Sequence, residues 1–291
     1  MKIIGAAIAI AMTILDIATA VLVEDTQHLA VLLIVINGAC SLALYLSVIR
    51  PVLAMKSKAE AAIAENEQLG TMRTDFVANV THELKTPLTS ISGFIETLKA
   101  GAVEDPKVRT KFLDIMEIET ARLSRLINDI LVLSDIENGT EEVKTRIDVV
   151  NEIESTVESL KPIADKKGVT IITEIRHGLL IRGSSDRFRQ MILNLLENAV
   201  KYSNDGGRVW IDGYLKEGKP VIRVKDEGIG ISQENLDRLF ERFYRVDKSR
   251  SRKVGGTGLG LSIVKHIVSL FNAEIKVESE LGKGTSFYIY F

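Results

Sequence analysis

A single cysteine, Cys40, rules out an intrachain disulfide framework and any multi-cysteine zinc site in this chain of 291 residues. The four histidines, His28, His82, His177 and His266, lie far apart, so there is no local zinc motif. Charge of either sign is not in excess: a net charge of −2 and a pI near 6.2 give no bulk attraction to nucleic acid and argue against a general DNA or RNA binder. Internal repeats and low-complexity tracts are also lacking. What the chain does have is 46% hydrophobic residues, in a length that fits about two folding units with a sizeable core.

Much of that apolar content lies at the front. Residues 3–23 and 29–49 are two apolar runs of about 21 residues, each about 31 Å long as a helix, which matches the hydrocarbon thickness of a bilayer. The sequence therefore predicts two membrane spans. Lys2 precedes the first, Arg50, Lys56 and Lys58 follow the second, and the connection from Glu24 to His28 carries two acids and neither Lys nor Arg. That asymmetry puts both termini on the cytoplasmic side of a cell membrane. A cleaved leader is the competing reading, because Ala18-Thr19-Ala20 resembles a cleavage site, but the run is long for one and contains Asp16. A connection this short cannot hold a folded sensor, so a signal would arrive through the spans, the lipid or a partner membrane sensor protein. Asp16 and Asn37 are the polar candidates within the spans. A carboxylate there is either functional or hydrated near the outer end.

Beyond Pro51 the composition turns to Ala, Glu, Lys and Gln, which predicts a helical linker over residues 51–72. Phe76, Val80, Leu84, Pro87, Leu88, Ile91, Ile95 and Leu98 then recur mostly three or four apart, the mark of an amphipathic helix. Gly101, Asp105 and Pro106 interrupt it, and a second stripe of Phe112, Met116, Leu123, Leu126, Ile130 and Leu133 fades at Asn138-Gly139. Residues 73–139 are thus expected to form a helical hairpin, and pairing two copies into a four-helix bundle would cover the half-open stripe. Residues 140–291 alternate β-rich runs with helices, which predicts an α/β sandwich. Strands are expected near 169–175, 207–215, 220–225, 274–279 and 285–290, and helices near 150–166, 185–202 and 259–271. Periodicity disappears between Phe240 and Gly258, where Arg242, Arg245, Lys248, Arg250, Arg252 and Lys253 suggest a mobile loop near something anionic, or merely a solvated basic one.

His82 lies roughly 190° from the seam of Val80, Leu84, Pro87 and Ile91 and so faces outward from the hairpin. Lys85 and Thr86 share its face, and Pro87, without an N–H, cannot bond the Glu83 carbonyl. A lone exposed histidine is usually inert, but an imidazole with a cation and a hydroxyl one turn on suits attack on phosphorus.

Asn194, Asn198, Lys201 and Tyr202 share one face of a predicted helix, where amide oxygens suit Mg²⁺ and an ammonium neutralises phosphate. A predicted strand runs into Asp226-Glu227-Gly228-Ile229-Gly230, placing a carboxylate at a strand end where it could accept from an adenine amino group or simply close a turn. Gly256-Thr257-Gly258-Leu259-Gly260 leads into another helix, and a Gly-rich turn at a helix N-terminus supplies N–H groups for phosphate. This turn fits neither a Walker A loop nor the dinucleotide fingerprint.

The run Val80-Thr81-His82-Glu83-Leu84-Lys85-Thr86-Pro87-Leu88 resembles the phosphoacceptor box of sensor histidine kinases of the His-Glu-x-x-Thr-Pro group. Asn194 to Tyr202, Asp226 to Gly230, Phe240 to Arg245 and Gly256 to Gly260 likewise resemble, in order, the N, G1, F and G2 boxes of the ATP-binding domain of those kinases. The run from Phe243 to Arg250 looks like the phosphate-regulon and cell-wall members. The resemblance covers residues 72–291 and implies a domain of the histidine kinase and gyrase type. It further implies that His82 accepts the γ-phosphoryl of ATP, that Glu83 orients or deprotonates the imidazole, and that Thr86 positions water in a phosphatase reaction. In the ATP-binding domain it implies that Asn198 ligates Mg²⁺ with Asn194 assisting, that Lys201 and Tyr202 contact phosphates, that Asp226 reads adenine and that Arg245 reaches the γ-phosphate. A homodimer and the receiver domain of a response regulator are the implied partners. The front of the chain departs from the pattern, with no sizeable external domain and no obvious HAMP or PAS module between residues 50 and 72. Two rivals remain: an ATP-hydrolysing relative of gyrase, against which Asn194 stands where those enzymes carry a Glu, and a membrane-anchored nucleotide-binding scaffold.

Overall fold

A computed structural model describes residues 10–15, 17–18, 26–138, 145–246 and 256–291. Most of the first apolar run, Asp16 within it, and Lys248, Arg250, Arg252 and Lys253 of the basic loop lie outside the described residues. The chain divides into two compact units, Met1–Val77 and Ala78–Phe291.

In the first unit, helix α1 (Thr26–Leu44) passes through a π-helical turn (Tyr45–Ile49) into the start of α2 (Arg50–Lys99). Asn37 is exposed on α1. Among the described residues no helix is long and apolar enough to cross a membrane.

The second unit begins within α2, which continues without interruption through Pro87. Gly101, at φ 114°, turns the chain into a 3₁₀ segment (Ala102–Glu104), a left-handed backbone that costs a glycine little. Asp105 then starts α3 (Pro106–Glu137): its carboxylate accepts from the N–H groups of Lys107 and Val108 at 2.9 and 3.3 Å, and Pro106 occupies the first turn, where no N–H is needed. Phe94 and Phe112 join the two helices with ring centroids 4.8 Å apart. Pro87, Leu126, Leu133 and Ile136 are buried, as is Arg122, which lies one turn before Leu126 on the same face. Leu88 and Ile95, assigned to the seam by spacing, are 57% and 42% exposed, so one chain leaves part of that stripe open.

The α/β portion is a five-stranded sheet in the order β2 (Thr170–Ile175), β4 (Arg208–Lys216), β5 (Lys219–Asp226), β7 (Gly284–Tyr290), β6 (Glu274–Glu280), parallel only between β2 and β4. Its strands and its three long helices, α4 (Val149–Lys167), α5 (Ser185–Tyr202) and α7 (Gly260–Leu270), fall within a residue or two of the ranges expected from the pattern. A two-stranded antiparallel ribbon of β1 (Thr145–Asp148) and β3 (Leu180–Gly183) and a short helix, α6 (Gln233–Leu236), were not expected. The helices cover one face of the sheet. Phe188, Met191, Ile192, Leu195 and Leu196 of α5 and Ile263, Val264 and Ile267 of α7 meet Val209, Ile211, Ile222, Val224 and Ile289, all at most 1% exposed. Each such side chain contributes about 1.5–3 kcal/mol over remaining in water.

Two details fix α5, the helix that carries the asparagines. Ser184 caps its start by accepting from the Arg187 N–H at 3.4 Å. Its far end is held by Lys167, whose ammonium donates to the carbonyls of Val200, Lys201 and Ser203 at 3.0, 2.6 and 2.7 Å. A cation there satisfies carbonyls left over by the helix and complements its dipole.

Candidate functional site

The phosphoacceptor turn lies on α2. His82 is exposed, as its angle to the seam requires, and the Thr86 hydroxyl donates to the His82 carbonyl at 3.1 Å. Glu83 is turned toward α3, where its Oε2 accepts from Arg122 at 3.0 Å, and it also accepts at 2.9 Å from Arg245 of the lid, the basic stretch between Phe240 and Gly258. Arg245, expected over a γ-phosphate, thus stands on the carboxylate next to the phosphoacceptor. Its side chain is 6% exposed and its buried Nε has no hydrogen-bond partner.

The residues expected to face the nucleotide come from the end of α5 and from two separate loops that the fold joins. Lys201 approaches the glycine turn so closely that a Cβ on Gly256 would lie 2.9 Å from its Nζ and 3.9 Å from the Tyr202 hydroxyl. Burial, with the charges of Arg125, Arg245 and Arg122 acting the same way and Glu197 opposing them, lowers the Lys201 ammonium to about 8. An ammonium desolvated among three arginines is held in an excess of positive charge, which a polyphosphate would neutralise.

Asp226, at the end of β5, is 5% exposed; its Oδ1 accepts from the Gly228 N–H at 2.8 Å. Burial raises its carboxyl to about 6, against the hydrogen bonds from the backbone of Gly228 and Thr285. The glycines around it are sterically required. A Cβ on Gly228 would sit 2.2 Å from the Tyr202 carbonyl oxygen, and one on Gly230, at φ +65°, would sit 2.0 Å from that of Glu280. The G1 segment is therefore wedged between the end of α5 and the β6–β7 turn.

In the last loop Thr257 Oγ1 accepts from the Leu259 N–H at 3.3 Å, Leu259 is fully buried, and Gly258 at φ +78° packs on the backbone of Phe243. Gly260 opens α7 and its carbonyl accepts from Asn194 Nδ2 at 3.3 Å.

The two asparagines differ. Asn194 is buried, its Oδ1 accepts from Gln190 at 3.4 Å, and through Gly260 it ties α5 to the glycine loop. Asn198 is half-buried with no side-chain hydrogen bond among the described residues. Its free amide oxygen fits Mg²⁺, which takes one or two protein oxygens and completes its shell with phosphates and water. No cluster of three or more His, Cys, Asp or Glu among the described residues could hold a metal by itself.

Residues that spacing could not single out lie on α3. Asp129 Oδ2 accepts from the Thr257 hydroxyl at 2.6 Å, and Glu137 accepts from Arg242 with His266 Nε2 3.7 Å away. Together with Arg122 they place the hairpin against the lid and the glycine loop. Only Arg122 left a local trace, a cation at helical spacing from the buried Leu126.

Comparison with known proteins follows the same division. Residues 72–139 match the His Kinase A (phospho-acceptor) domain, and residues 183–291 match the histidine kinase-, DNA gyrase B- and HSP90-like ATPase. The sensor protein kinase WalK of Staphylococcus saprophyticus is 40% identical over 239 residues, 78% of this chain; the chain spans 38% of that relative's length. Full-length ShkA, solved in complex with AMPPNP, is 28% identical with a TM-score of 0.55 over 73% of this chain and 44% of its own. Histidine kinase ThkA, solved in complex with response regulator protein TrrA, shares the fold at 24% identity, with a TM-score of 0.63 over 80% of this chain and 65% of its own. With a phospho-acceptor hairpin followed by an ATPase domain of this kind, and with 78% of this chain aligned to WalK, the chain belongs to the histidine kinases.

Proposed function

We propose that the protein transfers the γ-phosphoryl of ATP to His82 and then to an aspartate of a response regulator. The observation that carries this reading is the 2.9 Å contact between Arg245 of the lid and Glu83, the residue beside the phosphoacceptor. It supports the reading by bringing Arg245 to the helical turn that carries His82.

In this reading, Asp226 receives the adenine amino group, while Lys201, Tyr202 and the backbone of Gly256 to Gly260 hold the phosphates. Asn198 holds Mg²⁺, which when bound neutralises phosphate oxygens. His82 Nε2 forms a bond to the γ-phosphorus as the bond from that phosphorus to the bridging oxygen breaks and ADP leaves. The proton on the other ring nitrogen passes to Glu83, once Arg245 has left that carboxylate for the nucleotide. The phosphoryl group then moves from the imidazole to the carboxylate of the receiver domain, and Thr86 positions water when the flow is reversed into dephosphorylation. Positioning and charge neutralisation account for most of the catalysis in such transfers.

Two copies are proposed to pair through the exposed apolar positions of the hairpin, Leu88 and Ile95 among them, as a four-helix bundle. The two apolar runs of residues 3–23 and 29–49 anchor the dimer in the membrane with both termini cytoplasmic, supported by the basic residues flanking them and their absence from the connection. The response regulator as partner is supported by the complex of histidine kinase ThkA with response regulator protein TrrA.

Incubation of the chain with γ-labelled ATP tests the reading. An acid-labile, base-stable label that disappears in His82→Gln is expected. Phosphate release without label would make the protein an ATPase, and nucleotide binding with neither would make it a scaffold.

A further inference from the structure

The hairpin lays a carboxylate on each of three groups around the nucleotide loop. Glu83 takes Arg245 at 2.9 Å, Asp129 takes the Thr257 hydroxyl at 2.6 Å, and Glu137 takes Arg242 and stands 3.7 Å from His266. The middle contact differs from the others, because Thr257 is built into the turn whose N–H groups would bind phosphate: its oxygen also receives the Leu259 N–H. Asp129 is largely desolvated there, and what opposes that cost is the Thr257 hydrogen bond and the charges of Arg125 and Lys201. Lys201 is the same ammonium assigned to the nucleotide. An internal carboxylate and an external polyphosphate therefore draw on one hydroxyl and one cation, and like charges at that range repel in a partly dehydrated site.

We propose that Asp129 is an internal competitor of the nucleotide: it occupies the phosphate loop while hairpin and ATPase domain are docked as seen here, and ATP binding displaces it. The proposal rests on reading the glycine turn as a phosphate site. It makes docking and nucleotide binding opposed, and by linkage each weakens the other by the same factor. ATP thereby frees Arg245 and Glu83 along with Thr257, since all three contacts belong to one docked arrangement.

The test is the dissociation constant of the full chain for trinitrophenyl-ATP with Mg²⁺, measured for the wild type, Asp129→Asn, Glu137→Gln and Asp114→Asn. Asp129→Asn keeps an acceptor for the Thr257 hydroxyl and removes only the charge. It should bind at least tenfold more tightly than wild type. Glu137→Gln lies outside the loop but weakens the same docking, and should bind at least threefold more tightly; it decides the matter if Asp129→Asn does not fold. Asp114→Asn, an exposed acid elsewhere on α3, should match wild type. Equal or weaker binding by both Asp129→Asn and Glu137→Gln overturns the competitor role while leaving the nucleotide site standing, as does tightening by Asp114→Asn to the same degree. Absence of binding in every protein overturns the nucleotide reading itself, and this proposal with it.

Discussion

Arg122 and Arg245, from the hairpin and the lid, donate to the same oxygen of Glu83 at 3.0 and 2.9 Å. One is a structural partner, buried on the inner face of α3; the other belongs to a loop that must also serve the nucleotide. The residue next to the phosphoacceptor is thus held by one arginine that stays and one that has another task.

Arg122→Met tests the first of these. The side chain is 10% exposed against 24% for Glu83, and removing one partner of a partly buried pair leaves the other charge poorly compensated. Urea unfolding should show a loss of about 2 kcal/mol. A change below about 0.5 kcal/mol would mean that Arg245 or solvent satisfies Glu83 equally well.

Lys201 gives a pH signature. Its pKa in the free protein, about 8, is below the ordinary lysine value, and bound phosphates favour the charged form and raise it. Below pH 8 the ammonium is present before and after binding, so its contribution is constant. Above pH 8 the free protein must take up a proton to bind, and ATP affinity should fall up to tenfold per pH unit until the pKa of the complex is reached. Titration calorimetry from pH 7 to 9.5 checks this. Lys201→Met should bind more weakly and flatten the profile, and a flat wild-type profile would remove Lys201 from the phosphate site.

Gly228→Ala places a methyl group 2.2 Å from the Tyr202 carbonyl oxygen, where backbone blocks it. The G1 segment must then shift and carry the hydrogen bond to Asp226 with it. Adenine nucleotide binding should weaken at least tenfold in fluorescence titrations while the circular dichroism spectrum stays near wild type. Unchanged affinity would argue that Asp226 does not need this loop to meet the base.

Much of this was legible in the chain because the elements that bury a core must repeat at helical or strand spacing. The apolar side of α5 and the alternation in β4 and β7 located those elements closely, and the outward angle of His82 followed from the seam. The ribbon of β1 and β3 escaped because each strand has four residues and carries an arginine on its exposed side, too short and polar for a period to emerge. The partners of Glu83 and Thr257 escaped for another reason: they lie 39 to 162 residues away, and no local rule links such pairs. Asn194 shares a face with Asn198, as its spacing indicates, but its bond to the Gly260 carbonyl spans 66 residues and could not be read from the helix alone.

Asn198 separates binding from transfer. With no other side-chain partner among the described residues, it can be replaced by Ala without breaking a hydrogen bond, so the melting temperature should hold within about 2 °C. Phosphorylation should nevertheless be lost with ATP and Mg²⁺. Retained activity would remove the metal assignment.

The central claim is most directly tested by mass spectrometry of the chain after exposure to ATP and Mg²⁺, with handling kept at neutral or basic pH to preserve a phosphoramidate. A single added phosphoryl group on His82, absent from Asn198→Ala, is the predicted result. An unmodified His82 in protein that has consumed ATP would contradict the account.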